Sequence, residues 1–264
     1  MAFAFERDDT GGVMVSLDGH PQSYVHPDDP GLLAFEYMQH LSIAVDSTPP
    51  GPVAVTHVGG AGLTLPRYVE HSRPGSPQIV LEPDVALTEA VRREIPLPRR
   101  HRIRVRAIDG AHGIAALREA SADLIVVDAF AQGQVPAELT GLTWATEVAR
   151  VLRSGGLLAM NLADEPGLRH AHRVAATMST VLPHVGLLGL IEVFKGKRFG
   201  NVVLLACDQP LPERVLTRRA ASAPFPTAWQ SAAATSRRLR GTQPFGAIGE
   251  PSPTPPDPGV WRRS

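Results

Sequence analysis

The spacing of apolar residues shifts along this chain, and each shift predicts a different element. From Val13 to Leu17 apolar and polar residues loosely alternate, Asp18-Gly19 marks a turn, and Gln22 to Val25 returns as a second strand. That is the signature of a β-hairpin. Residues 31–43 move to helical period, with Leu33, Tyr37, His40 and Leu41 on one face. Asp46 to Pro52, rich in proline, is a linker.

Beyond the linker, short apolar runs alternate with helical-period segments. Val53–Val58 reads as a strand and Leu63–His71 as a helix, followed by a strand over Gln78–Leu81 and a helix over Val85–Ile95. Ile103–Ala107 and Asp123–Val127 are further strands, with a helix at Ile114–Ala120 between them. Leu142–Leu152 is helical and closed by Ser154-Gly155-Gly156, a C-cap sequence; Gly156–Asn161 is a strand and His170–Leu182 a helix. Leu187–Phe194 and Asn201–Cys207 form a terminal antiparallel pair. Such alternation predicts an α/β fold with a doubly wound, mostly parallel sheet, whose ligands bind beyond the carboxyl ends of the strands. The expected organisation is a hairpin and helix over 1–48, a Rossmann-like domain over 49–212, and a Pro/Ala/Arg-rich extension over 213–264.

Composition narrows the function classes. The 26 basic residues balance the 26 acidic ones, so no excess charge points to nucleic acid. There is no long apolar segment to span a membrane, and Met1–Asp9 lacks the basic start and apolar run of a signal peptide, so a cytoplasmic protein is expected. The single cysteine, Cys207, lies in an apolar run and reads as a core residue. His40, His112 and His170 lack a ligand spacing, so no metal is assigned, and His57 within a strand reads as a core or sheet-face residue. The prolines between Gly249 and Gly259 predict an extended, peripheral tail.

The candidate chemistry sits at strand ends. Gly59, Gly60 and Gly62 follow the first strand of the main domain and precede a helix, where backbone N–H groups can face a polar ligand. The bland alternative is a structural turn. Glu82, 22 residues after Gly60, can accept hydrogen bonds from ribose hydroxyls. Asp109-Gly110 either takes a purine amine and ring edge or is an ordinary turn. Asp128 ends the apolar strand Leu124-Ile-Val-Val, which delivers a carboxylate into the crevice as a general base, cation ligand or helix cap. The loop 129–140 that follows it could close over a substrate. Arg67, on the first helix past the glycine turn, is a solvated residue or a carboxylate partner.

In this order and spacing these features resemble the spermidine synthase family, polyamine aminopropyltransferases on a methyltransferase-type Rossmann fold. The likeness runs from about Val13 to Pro212. It includes Leu17-Asp18-Gly19-x-x-Gln22, the helix Ala34-Phe-Glu-Tyr-Met-Gln-His-Leu41, the glycine turn with Arg67, Val80-Leu-Glu-Pro-Asp84, Asp109-Gly110, Asp128 and Arg198-Phe-Gly-Asn-Val-Val203. The resemblance implies polyamine biosynthesis, with S-adenosylmethionine or its decarboxylated form as substrate. Gln22, Gly59, Gly60, Gly62, Glu82, Asp109 and Gly110 would form the adenosyl pocket, Asp128 would be the base, and Phe35, Glu36 and Arg67 would lie on the acceptor side. It further implies a small-molecule amine or other nucleophile as partner, no nucleic acid or membrane, and pairing as a homodimer.

Four positions depart from the family pattern. Gly62 stands where the family's glycine turn carries an aspartate, Ala131 replaces the second carboxylate of Asp-x-x-Asp, and Phe35-Glu36 replaces Tyr-Gln. Each lost charged hydrogen bond weakens binding of a diamine by about 10- to 100-fold, with Glu36 the one added negative charge. The expected function is therefore aminopropyl or methyl transfer to an altered acceptor. A non-catalytic nucleoside-binding or interaction protein that keeps the fold is the alternative.

Overall fold

The computed structural model describes residues 3–17, 19–60 and 62–256. The chain opens with β1 (Phe3–Arg7), β2 (Val13–Leu17) and β3 (His20–Val25), which form a three-stranded antiparallel sheet. The expected hairpin is its β2–β3 half, although the turn residue Asp18 lies outside the described residues. Helix α1 (Glu36–Ser47) then leads into the main domain, starting later than the periodicity suggested.

The central sheet has eight strands in the order β11-β9-β10-β8-β7-β4-β5-β6. Strands β4 (Val55–Gly59), β5 (Gln78–Leu81), β6 (Ile103–Arg106), β7 (Ala122–Asp128) and the start of the parallel run of β8 (Leu152–Asp164) all point the same way. Strands β9 (His184–Leu190), β10 (Gly200–Cys207) and β11 (Thr227–Gln230) complete the sheet by antiparallel pairing. Chain order reverses between β4 and β7, the crevice where doubly wound folds bind ligands. Helices cover both faces. One face packs Val58, Leu81, Ile125 and Val127 against α4 (Gly110–Ala115), α5 (Leu142–Val151) and α6 (Arg169–Ser179). The other packs Val55, Leu124 and Val126 against α1, α2 (Thr64–Ser72) and α8 (Glu213–Ala221). The N-terminal sheet buries Val13, Val15 and Val25 against β5, β6 and α3 (Val85–Glu94). These apolar strands, buried on both faces, explain the near-continuous hydrophobic runs that marked them in the sequence.

Four local expectations are corrected. Helix α4 begins at Gly110, because Asp109 caps it by accepting from His112 N at 3.0 Å. Ser154-Gly155-Gly156 is no C-cap: α5 ends at Val151 and these residues belong to β8, where Gly155 N donates to Asp208 at 2.8 Å. The apolar end of the predicted strand 187–194 is a short helix, α7 (Ile191–Phe194). The proline-rich tail is not peripheral as far as it is described. After α9 (Ala232–Arg238) the chain runs back over the loop behind Asp128, burying Phe245 and Ser252. Among the described residues no helix is long and apolar enough to cross a membrane.

Candidate active site

The glycine turn after β4 is shaped by its neighbour strand. Gly59 pairs with Asp128 across the β4–β7 ladder and has φ +77°; a Cβ there would overlap the Asp128 carbonyl. Gly60, at φ +102°, faces open space. Together they leave a cavity of about 270 Å³ at the switch point, bordered by Gln22, Gly59, Gly60, Glu82, Asp109, Gly110 and Asp128. The three acids come from the ends of β5, β6 and β7, as the alternating pattern required.

Their environments differ. Glu82 is buried, its carboxyl accepts from Asp84 N at 3.0 Å, and burial pushes its pKa up. Asp109 is half exposed and already engaged: besides capping α4 it meets His112 Nδ1 at 2.7 Å, and the His112 backbone N–H lowers its pKa. Asp128 is partly buried, and loss of solvent raises its carboxyl to about 6, against a single opposing hydrogen bond from Asn161 Nδ2 at 2.9 Å. Asn161 Oδ1 in turn accepts from Asn201 Nδ2 at 3.0 Å. This relay from β10 through β8 to β7 fixes the orientation of the Asp128 carboxylate.

A second cavity of about 230 Å³ adjoins the first, with Tyr37 lining both. Phe35, Glu36, His40, Arg198 and Asn201 are also on its walls. The Phe35 and Tyr37 rings stack at 5.8 Å with planes 9° apart. Burial, and then the Asp128 charge, push the Tyr37 hydroxyl well above its ordinary pKa, so it remains a neutral donor. The Arg198 guanidinium stands 3.9 Å from Glu36 and 3.5 Å from Glu192, so the one extra acid on the acceptor side has a cationic partner.

Two sequence-predicted residues fall outside this arrangement. Arg67 does not reach the acceptor side. It is buried beneath α2 and donates to the carbonyls of Ile95 and Pro96, tying the end of α3 to α2. Gly62 faces the N-terminal sheet, where its N–H donates to Ser23 Oγ at 3.2 Å and any side chain would overlap Ser23; its neighbour Ala61 lies outside the described residues. His57 is a buried core residue bonded to Gln78 at 2.9 Å, with its pKa depressed to about 4 by burial. Tyr37, Asn161 and Asn201 are not among the candidate site residues that the sequence offers. An amide inside the apolar run Leu157-Leu-Ala-Met-Asn161-Leu is the signal that could have found one of them, since buried polar groups need partners.

No family model matches the chain, and no curated protein matches it in sequence. Solved structures do. A probable spermidine synthase from Corynebacterium glutamicum superposes with a TM-score of 0.85 at 28% identity, covering 92% of both chains. A spermidine synthase in complex with the transition-state analogue AdoDATO gives a TM-score of 0.55 at 16% identity, over 90% of this chain and 79% of that one. Human methyltransferase-like protein 13, in complex with SAH, gives 0.58 at 21% identity, over 81% and 95%. The fold is the methyltransferase-type Rossmann fold with an added N-terminal sheet, and its neighbours are transferases. The chain is similar to spermidine synthases over nine-tenths of its length.

Proposed function

We propose that this protein is a transferase that takes S-adenosylmethionine or its decarboxylated form and passes a methyl or aminopropyl group to an amine bearing fewer charges than a diamine. The observation that carries this reading is Asp128: a carboxylate with a pKa of about 6, held by Asn161, where a nucleoside-sized cavity meets a second one lined by aromatic rings. The glycine turn suits an adenosyl group, because beyond Gly60 there is open space where a side chain would stand, and Glu82 offers a buried acceptor for ribose hydroxyls. The likeness to a probable spermidine synthase at 28% identity supports aminopropyl transfer. The absence of an acid at Ala131, on the wall of the first cavity, supports a different acceptor or methyl transfer.

Bound in the first cavity, the sulfonium donor supplies an electrophilic carbon next to sulfur. The protein's own part is to align the acceptor nitrogen with that carbon, take its proton and exclude water. As the nitrogen–carbon bond forms, the carbon–sulfur pair leaves with sulfur and the ammonium proton passes to Asp128. At neutral pH a carboxyl of pKa about 6 is mostly ionised yet basic enough for that transfer. The acceptor side offers a ring stack, neutral His40 and an acid already paired with Arg198. It therefore suits one amine on an apolar or aromatic body better than the far ammonium of a dication.

Calorimetry with S-adenosylmethionine, its decarboxylated form and methylthioadenosine tests the first half of the proposal. Heat with one sulfonium donor identifies the transferred group, and no heat with any of the three removes the transferase reading. Turnover of aromatic and aliphatic monoamines against putrescine tests the second half, with preference for putrescine as the overturning result.

A further inference from the structure

Residues 99–106 read Arg-Arg-His-Arg-Ile-Arg-Val-Arg, five guanidiniums in eight positions of a chain with zero net charge. Strand β6 sorts this run by its period of two. Ile103 is buried and Val105 half-buried against the N-terminal sheet, while Arg104 and Arg106 are exposed on the opposite face. On that side lies a groove of about 610 Å³, set toward the amino ends of the parallel strands and sharing no lining residue with the two cavities around Asp128. Arg102, Arg104 and Arg106 meet Arg118 there, from the turn before β7, and Arg153, from the start of β8. Ile79 and Leu117 supply apolar lining.

Two of these cations have partners within the chain. Arg153 pairs with Asp123 at 2.6 Å, and Arg102 donates to the Gly75 carbonyl at 3.0 Å. Arg104, Arg106 and Arg118 form no ion pair among the described residues. Charges on an edge strand such as β6 discourage pairing with another chain, and this explains arginines on the strand. It does not explain why Arg118 and Arg153 converge on the same groove from other elements. Like charges gathered in one concavity focus a positive potential that attracts anions, and guanidinium forks match phosphate oxygens. The volume falls within the roughly 300–1,000 Å³ of small-molecule sites.

We propose that this groove binds a polyphosphorylated small molecule, with its phosphates on Arg104, Arg106 and Arg118 and any ring against Ile79 and Leu117. The test is titration of the full chain at low salt with inorganic tripolyphosphate and with ATP, using adenosine as the control for entry into the nucleoside cavity. Expected are saturable binding of both polyanions, weakening as salt rises, and a loss of at least about tenfold in R104Q/R106Q with unchanged melting temperature. R118Q, on a surface turn, gives the same reading should the double variant misfold. Tripolyphosphate binding that R104Q/R106Q and R118Q leave intact, or no saturable binding of either polyanion, overturns the proposal. So does binding of a single-stranded RNA when neither small polyanion binds.

Discussion

At Asp128 one side chain carries opposed demands of stability and chemistry. Its carboxyl ionises near pH 3.8 in an unfolded chain and near 6 in the folded one. The folded state therefore holds the proton more tightly, and the stability this provides is complete below about pH 4 and is lost as pH rises through about 6. Asp128→Asn keeps an oxygen for Asn161 to donate to and removes the buried charge. The expected result at neutral pH is a gain on the order of 1–3 kcal/mol in urea unfolding, shrinking toward zero near pH 4. The same variant should lose about 10²- to 10⁴-fold in turnover while donor affinity holds. For the unsubstituted protein, the proposed activity's kcat/KM should show an acidic limb near pH 6. A variant that is destabilised at neutral pH, or turns over normally, would remove Asp128 from its role. Ala131, three residues after Asp128, lines the same cavity and stands where the resembled family has its second carboxylate. Ala131→Asp should raise putrescine affinity about 10- to 100-fold, since a hydrogen bond to a charged group is worth about 1.5–3 kcal/mol. A calorimetric titration that finds no gain would place the diamine block elsewhere, at the Glu36–Arg198 pair.

Among the elements, the C-terminal strap does most to position the site without touching it. Helix α5 starts at Leu142 with no side-chain cap, and its first N–H groups instead donate to the carbonyls of Gly246 and Ala247 at 2.8 and 3.2 Å. Such first-turn donors have no partner within a helix. Further along, Ser252 exchanges hydrogen bonds with Val135, through its Oγ at 2.9 Å and its N at 3.1 Å, while Thr140 Oγ1 donates to Glu250 O at 3.0 Å. The strap is pinned in turn to α6, where Arg173 stacks on Phe245 at 3.9 Å and pairs with Glu250 at 2.8 Å. Its grip falls on the loop whose Phe130, Pro136, Glu138 and Leu139 wall the cavity beside Asp128. Truncation after Gln243 should leave the fold intact by far-ultraviolet circular dichroism, speed hydrogen exchange over 131–143 and weaken nucleoside binding at least about tenfold. Unchanged exchange over that loop would mean the strap is only packing. Little of this was legible beforehand: a run of prolines signals extended geometry but not what the extended chain lies on. By contrast the bounds of β5 were legible to the residue, because Gln78 and the apolar Ile79-Val80-Leu81 stand between a proline and an acid. The start of α4 was missed because an aspartate before glycine serves a turn and a helix cap equally well, and only His112 N beneath Asp109 decides between them.

For the molecule as a whole, the strand-end acids were legible because one topology places every carboxyl end on one side, whereas the Asp128–Asn161–Asn201 relay depends on the antiparallel register of β8 with β10, which pairs Asn161 with Val203 and Asn201 with Ala163. Three histidines on other elements, α1, β4 and α6, are also buried. His40, His57 and His170 lie at 2%, 2% and 8% exposure, and burial depresses each to a pKa of about 4. The ordinary value is 6.5, so between about pH 6.5 and 4 the unfolded chain takes up protons at these sites that the folded one refuses. Stability contributed by the neutral rings is whole above 6.5 and is lost on acidification, each ring giving a slope of about 1.4 kcal/mol per pH unit. Asp128 acts in the opposite sense over nearly the same range and cancels about one of the three. From these four groups the expectation is a fall of about 2–3 kcal/mol per pH unit between about pH 6 and 4, comparable with the lower end of the typical 5–15 kcal/mol of a folded protein. Urea unfolding at pH 7, 6 and 5 measures that slope, and a flat profile would contradict it. In His57→Gln, with one titrating ring removed, the slope should drop by about a proton's share, whereas in Asp128→Asn, which removes the opposing carboxyl, it should steepen by the same amount.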